Sequence, residues 1–476
     1  MKIISPKTKI VCTIGPASES PEVMKQMMEA GMNVARLNFS HGDFSTHAKI
    51  IENLRAASAS LNQRIAIMAD LSGPKMRIGK IDPEPVELRP GDAFVLTTEE
   101  IIGDSSRVSV SFAGLPKALK PGDTLFLNDG YIQLKVDALK GNDVFCTVAV
   151  GGELRSRKGL NLPGIDLGIS AFTEHDYRCL RFALENGVDA VSQSFVEKAA
   201  DIDAVRKAAA EMGYSPFIIA KIERSGALDR IEEIMDAANG IMIARGDLGV
   251  EVPIEQIAMV QKRLIHLANM LAKPVITATQ MLESMTDNRR PTRAEATDVA
   301  NAVLDGTDCV MLSGESAMGR YPVDAVAMLA KIARAAEERR PATTVEELFE
   351  NVDLRGKIRP DHLIAIAVEA ALKYVTPAAV FVPTVSGVTA RSIARFRSPV
   401  WIVAVSSREA TCRQLQFSAG VCPVHVSQTP AENWKGYVRA WVSDHGLEGD
   451  LAFVTEGPSA RHPEANHRVE IIDLTC

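Results

Sequence analysis

Phe217-Ile218-Ile219-Ala220-Lys221-Ile222-Glu223 and, a little further on, Gly240-Ile241-Met242-Ile243-Ala244-Arg245-Gly246-Asp247-Leu248-Gly249-Val250-Glu251 decide how this chain is read. Each is a short apolar, β-branched run that ends abruptly in charge. That pattern predicts strands buried on both faces, with their last residues surfacing at the rim of a parallel sheet. Lys221 and Glu223 are two apart, so on a strand they share a side. Asp247 takes the corresponding place on the second run. One ammonium and two carboxylates are therefore expected to converge at the carboxyl ends of adjacent strands. There they suit a divalent metal beside an anionic substrate. Taken alone, the same three would also make a structural ion pair capping a barrel.

Outward from this stretch the same unit recurs. Lys9–Gly15, Asn33–Gly42 and Ile65–Asp70 read as strands, separated by helices over about Pro21–Ala30 and His47–Ser60. Pro21 after Ser20 is a start signal and Gly31 a stop. On the other side come a helix near Glu174–Glu185 and strands Ala190–Phe195, Pro274–Gln280 and Cys309–Glu315. Three strands precede a break at Ser72-Gly73-Pro74 and five follow it. The two parts, 1–70 and 166–345, together have about 250 residues, the usual length of a (β/α)8 TIM barrel. Between them, residues 71–165 show turn signals (Pro90-Gly91-Asp92, Pro121-Gly122-Asp123, Asp129-Gly130, Lys140-Gly141-Asn142) and no helical period. Phe126–Leu134 reads as a hairpin. This predicts an inserted small β-barrel placed as a lid over the active-site face. After the linker Arg339-Arg340-Pro341, residues 346–476 read as a further α/β domain. In it, Thr384, Ser386, Gly387 and Thr389 lead into a helix start, a pattern that suits a phosphate or an ordinary helix cap.

Composition bounds the function. A net charge of −7 with no basic block argues against nucleic-acid and membrane-surface binding. The seven cysteines (Cys12, Cys146, Cys179, Cys309, Cys412, Cys422, Cys476) have no paired spacing, which predicts reduced thiols in a cytoplasmic protein. No signal sequence or long apolar span is apparent.

Several runs together carry a family resemblance. They are Thr13-Ile14-Gly15-Pro16-Ala17-Ser18, Asn38-Phe39-Ser40-His41-Gly42, Lys158-Gly159-Leu160-Asn161-Leu162-Pro163-Gly164, Ile218–Leu228, Ala244–Gly249 and Arg290–Glu295. Over nearly its whole length the chain resembles the pyruvate kinases. The resemblance implies a barrel, a lid, a C-terminal effector-type domain and a homotetramer. It also implies the reaction phosphoenolpyruvate + ADP + H⁺ → pyruvate + ATP. It places Glu223 and Asp247 as ligands of Mg²⁺ (or Mn²⁺) and Lys221 as the cation on the moving phosphoryl group and developing enolate. Arg36 becomes a second phosphoryl clamp, and Gly246 and Asp247 offer backbone N–H groups to the substrate carboxylate. Thr279 lies near the enolate carbon. His41, Arg77 and Lys158 match nucleotide-side positions, and Asn38, Ser40 and Asp70 match a monovalent-cation pocket. Ser194, Ser313 and Glu315 stand close behind.

Two departures matter. Where most studied members carry glutamate two residues after the glycine that follows the third strand and threonine next to the strand-end aspartate, this chain has Lys75 and Leu71. A tethered ammonium is expected to replace K⁺, so that K⁺ is not required. The stretch Glu456-Gly457-Pro458-Ser459 departs from the tryptophan-bearing loop of fructose-bisphosphate-activated animal members, so a sugar-phosphate or nucleotide effector is left open. Two rival readings are a class I aldolase using Lys221 as a Schiff-base nucleophile, and a non-catalytic sugar-phosphate sensor. The first leaves the metal pair and both extra domains unexplained. The second leaves unexplained why Arg36, Lys221, Glu223, Asp247 and Thr279 all remain.

Overall fold

Short runs of Val, Ile, Met and Ala with no room for water on either face are satisfied by a parallel sheet covered with helices. In the computed structural model, which describes residues 6–165, 168–350, 360–428, 433–457 and 466–475, this sheet is an eight-stranded parallel barrel. Its strands are β1 (Lys9–Thr13), β2 (Met32–Asn38), β3 (Ala66–Leu71), β4 (Ala190–Gln193), β5 (Phe217–Ile222), β6 (Gly240–Ala244), β7 (Val275–Ala278) and β8 (Cys309–Leu312). β1 pairs with β2 on one side and β8 on the other, Lys9 lying opposite Cys309. Val34, Met68, Ile219, Met242, Ile276 and Met311 fill the interior. Phe417, from the C-terminal domain, plugs the amino-terminal end, its ring stacked on Phe217 at 5.7 Å. Burying such a ring contributes about 1.5–3 kcal/mol.

The helices around the barrel start where the sequence signals them. Ser20 accepts a hydrogen bond from the Val23 N–H and Pro21 opens helix Pro21–Ala30, which stops at Gly31 with φ of 127°. A reciprocal box between Thr173 and Asp176 opens helix Glu174–Glu185. The second helix is longer than its apolar period suggests, Phe44–Leu61, because Asp43 caps it early.

The insertion leaves β3 after Leu71. Its strands pair as a six-stranded and a two-stranded sheet around one core that includes Leu88, Phe94, Leu125, Leu134, Val144 and Leu154. Among its described residues the only helix is Leu115–Ala118. Strands Thr124–Leu127 and Ile132–Lys140 form the expected hairpin, turning through Asn128, Asp129 and Gly130, all at positive φ. Hydrogen bonds at both hinges tie the insertion to the barrel. The Gly73 N–H donates to Asp176 Oδ1 at 3.1 Å, and Arg224 Nη2 donates to the Ile165 carbonyl at 2.7 Å.

The C-terminal domain holds a five-stranded sheet, parallel except for its edge strand Arg468–Asp473. Helix Val345–Leu348 packs into this domain's core. Residues 458–459 of the effector-side stretch lie outside the described residues. Arg397 joins the two bodies: its guanidinium forks onto the Asp308 carboxylate at 2.9 and 2.7 Å and also reaches Asn269 and the Gly306 carbonyl. The six described cysteines are buried and unpaired. Among the described residues, no helix is long and apolar enough to cross a membrane.

Candidate active site

Lys221 is the last but one residue of β5, buried with its ammonium turned into the mouth of the barrel. Nζ donates to Ser194 Oγ at 2.7 Å and lies 2.7 Å from Glu223 Oε1 and 3.5 Å from Asp70 Oδ1. Burial opposes its charge, but Asp70 and Glu223 outweigh that, so its pKa lies above the ordinary lysine value. Glu223 is held by its other oxygen, which accepts the Phe195 N–H at 2.7 Å. Phe195 itself has φ of 58°, a left-handed turn that aims this N–H at the carboxylate.

Arg36, on β2, is clamped from behind. Nε donates to Asp70 Oδ2 at 2.9 Å, and Nη1 to Thr13 Oγ1 at 2.8 Å. Asp70 also accepts the Ser192 hydroxyl at 2.6 Å. Burial alone would raise the Asp70 carboxyl, yet the Arg36 and Lys221 charges hold it well below the usual range. Beside this group lie the residues read from sequence as a monovalent-cation pocket. Lys75 Nζ donates to Ser40 Oγ at 2.7 Å, and Ser40 Oγ stands 2.9 Å from Ser72 Oγ. Asn38 Oδ1 accepts the Ser40 N–H at 3.1 Å. Burial lowers the Lys75 pKa and Lys221 adds to that, while Asp70 and Glu223 pull the other way.

Asp247 is not at a strand end. β6 stops at Ala244, and the chain turns directly into a short helix, Arg245–Glu251, which carries Asp247 in its first turn. The apolar run ends at Ala244, and the charged residues after it, read from sequence as the strand's rim, are instead helical. Burial and the Glu223 charge push the Asp247 carboxyl up to about 6. Gly246 N–H donates to Thr279 Oγ1 at 2.7 Å, so it is engaged inside the protein. A Cβ at Gly246 would meet Thr279 at 3.6 Å, an ordinary contact; the bare glycine leaves room for a ligand and is not forced by packing. Thr279 and Gln280 follow β7 at φ of 68° and 52°. Two consecutive left-handed residues, one β-branched, cost roughly 1–3 kcal/mol each.

A cavity of about 220 Å³ gathers these groups: Arg36, Lys75, Lys221, Glu223, Asp247 and Thr279 line it, with Arg77 and Asp129 from the lid. His41 and Lys158 are not in its wall. His41 is exposed and Lys158 half-buried, contributing its carbonyl to the Ile78 N–H. Among the described residues no three His, Cys, Asp or Glu side chains converge as a complete metal cage. Far away in the C-terminal domain, Thr384 Oγ1 accepts the Gly387 N–H at 2.8 Å, capping the turn into helix Val388–Ala394. Ser386 is exposed and Thr389 half-buried beside it.

Against known families, residues 5–326 match the model described as pyruvate kinase, barrel domain, and residues 361–468 that of pyruvate kinase, alpha/beta domain. The chain belongs to the pyruvate kinase family. It is 49% identical to a pyruvate kinase of Thermococcus litoralis over 96% of both chains. It is 41% identical to one of Clostridium acetobutylicum over 88% of both. A crystal structure of a pyruvate kinase from Cryptosporidium parvum superposes with a TM-score of 0.90 at 33% identity, covering 98% of this chain and 96% of that one. As a member of this family the chain is a phosphotransferase of glycolysis. Neither an aldolase nor a catalytically silent sensor is favoured. Seen as a pyruvate kinase, it also shows residues that the sequence reading passed over: Thr13, Ser72, Ser192, Asp129 and Arg245. Thr13, Ser72 and Ser192 are uncharged, Asp129 sits on the lid's hairpin turn, and Arg245 opens a helix with its side chain bonded to Ala278, Thr279 and Asp298.

Proposed function

We propose that this pyruvate kinase moves the phosphoryl group of phosphoenolpyruvate to ADP with the residues gathered at the mouth of the barrel. The supporting observation is Lys221: a buried, charged ammonium set between Glu223 and Asp70, opposite the Arg36 guanidinium. In the reaction the bond between phosphorus and the enol oxygen breaks, and one to a β-phosphate oxygen of ADP forms. The enolate left behind then takes a proton at carbon. Charge spreads over the moving group, so fixed cations aimed at it lower the barrier without reorganising. Arg36 and Lys221 are such cations, since Asp70, Thr13 and Ser194 hold both in place before substrate arrives.

Glu223 and Asp247 fit a divalent ion. Two carboxylates, one of them pushed up to about 6 by burial and its neighbour, are a pair that a cation would relieve. Two protein ligands also match Mg²⁺, which keeps sites for substrate oxygens and water. Bound there, Mg²⁺ or Mn²⁺ would supply charge neutralisation between protein and phosphate. The Lys75 ammonium takes the place of K⁺ in the pocket of Asn38, Ser40 and Asp70. Thr279 lies on the proton-transfer side; its hydroxyl donates to the Ala278 carbonyl at 2.6 Å and must turn to reach a ligand. His41, Arg77 and Lys158 serve the nucleotide as the lid closes. The loop of Thr384, Ser386, Gly387 and Thr389 takes the phosphate of a sugar-phosphate or nucleotide effector, and the chain works in the cytoplasm as a homotetramer. We divide it into a barrel (1–70 and 166–345), a lid (71–165) and a C-terminal domain (346–476).

A coupled assay of pyruvate formation from phosphoenolpyruvate and ADP tests the reading, and absence of product would undo it. Asp247→Asn should cut turnover by orders of magnitude and weaken Mg²⁺ binding while leaving the barrel folded. A variant with near-normal kcat and Mg²⁺ dependence would remove Asp247 from the metal set.

A further inference from the structure

Arg245 opens the helix that carries Asp247, but its side chain runs back across to the next strand. Nε donates to the Ala278 carbonyl at 3.2 Å and Nη2 to the Thr279 carbonyl at 2.7 Å. Nη1 holds the Asp298 carboxylate at 2.7 Å and Gln261 Oε1 at 3.2 Å, which fixes the guanidinium plane from the far side. The same helix returns a bond: Gly246 N–H grips the Thr279 hydroxyl. Thr279 is thus held at both its carbonyl and its hydroxyl by two successive residues of one short helix. Thr279 and Gln280 are the pair at positive φ, a backbone that persists only where the surroundings over-determine it.

We propose that Arg245 is a positioning residue for the proton-transfer half of the reaction. It locks the left-handed Thr279-Gln280 backbone and sets it in register with Asp247. The inference rests on the pyruvate kinase reading and goes beyond it by joining the metal side of the cleft to the proton-transfer side through one side chain. Its chemistry follows from the guanidinium, a planar fork that can serve two carbonyls and a carboxylate at once; a lysine ammonium is a compact charge that cannot reproduce that geometry.

The test compares full-length wild type, Arg245→Met and Arg245→Lys. Three readouts are taken: kcat, KM for phosphoenolpyruvate, and exchange of pyruvate methyl protons for deuterium with ATP and Mg²⁺, followed by NMR. Displacing the Thr279 backbone should lower kcat by about a hundredfold. KM should move by less than about threefold, and proton exchange should fall at least as far as kcat. Arg245→Lys keeps the charge opposite Asp298 and should recover less than a tenth of the lost rate. If Arg245→Met does not fold, the lysine variant decides alone. Either folded variant turning over within about threefold of wild type, or losing melting temperature with kcat intact, overturns the positioning role. A wild-type chain that makes no pyruvate overturns the reading beneath it instead.

Discussion

Lys75 is the residue on which the proposed independence from K⁺ turns. Its ammonium sits on Ser40 Oγ, near enough to Asp70 and Glu223 for their charges to act on it. The wild-type enzyme is therefore expected to reach full activity in K⁺-free buffer and gain little from added KCl. Lys75→Glu should create a K⁺ requirement, because it puts an acid where the internal cation stood. An enzyme nearly inactive until K⁺ is added would remove this role from Lys75. Asp70 gives the pH dependence. Its folded pKa lies below the ordinary 3.8, so its ionised form stabilises the fold above that value, and this stability is lost as pH falls through it toward the folded pKa. Wild-type stability should fall steeply below about pH 4, and Asp70→Asn, less stable at neutral pH, should fall more gently there. Parallel acid arms in urea titrations of the two would refute the linkage.

At the scale of elements, the lid's outgoing hinge is built against the active site itself. Gly73 has φ of 62°, and a Cβ there would meet the Phe195 ring at 2.8 Å and the Ser194 carbonyl at 3.2 Å. Phe195 gives its N–H to Glu223, and Ser194 holds Lys221. Gly73→Ala should therefore shift kcat and KM for ADP together, as hinge changes do, and destabilise by about 1–3 kcal/mol. Unchanged kinetics with a lowered melting temperature would confine Gly73 to stability. Strands and their polar ends were legible because most barrel runs are short, largely apolar and surface abruptly. The helix at Arg245 was not legible, since Arg245-Gly246-Asp247 reads equally as the polar end of a strand, and the partners of Arg245 lie 16 to 53 residues away in the chain. Ser72 and Ser192 escaped for a related reason: small hydroxyls acquire a role only once distant strands set their neighbours. Lid pairing, which joins strands far apart in the chain, is equally silent in local sequence.

For the whole molecule, the barrel and the C-terminal domain share one buried ion pair. Arg397 and Asp308 are each almost wholly buried, and Asp308 also accepts the Ala419 N–H at 2.9 Å. Arg397→Met would leave that carboxylate buried and unpaired, at a cost of about 3–5 kcal/mol. Denaturant unfolding should register it, and a loss under about 1 kcal/mol would mean that the pair is dispensable to the join. The ring closure has a different consequence, for synthesis. Residues Lys9 to Cys12 hydrogen-bond with Cys309 to Leu312, so the first strand made must wait for the last. Until the ribosome has released that final strand, the nascent barrel carries an open seam whose exposed edge is apolar and unpaired. Such an edge recruits other chains, and closing it over so long a loop is slow. An unclosed seam is thus a site of aggregation risk during synthesis, before the active site exists.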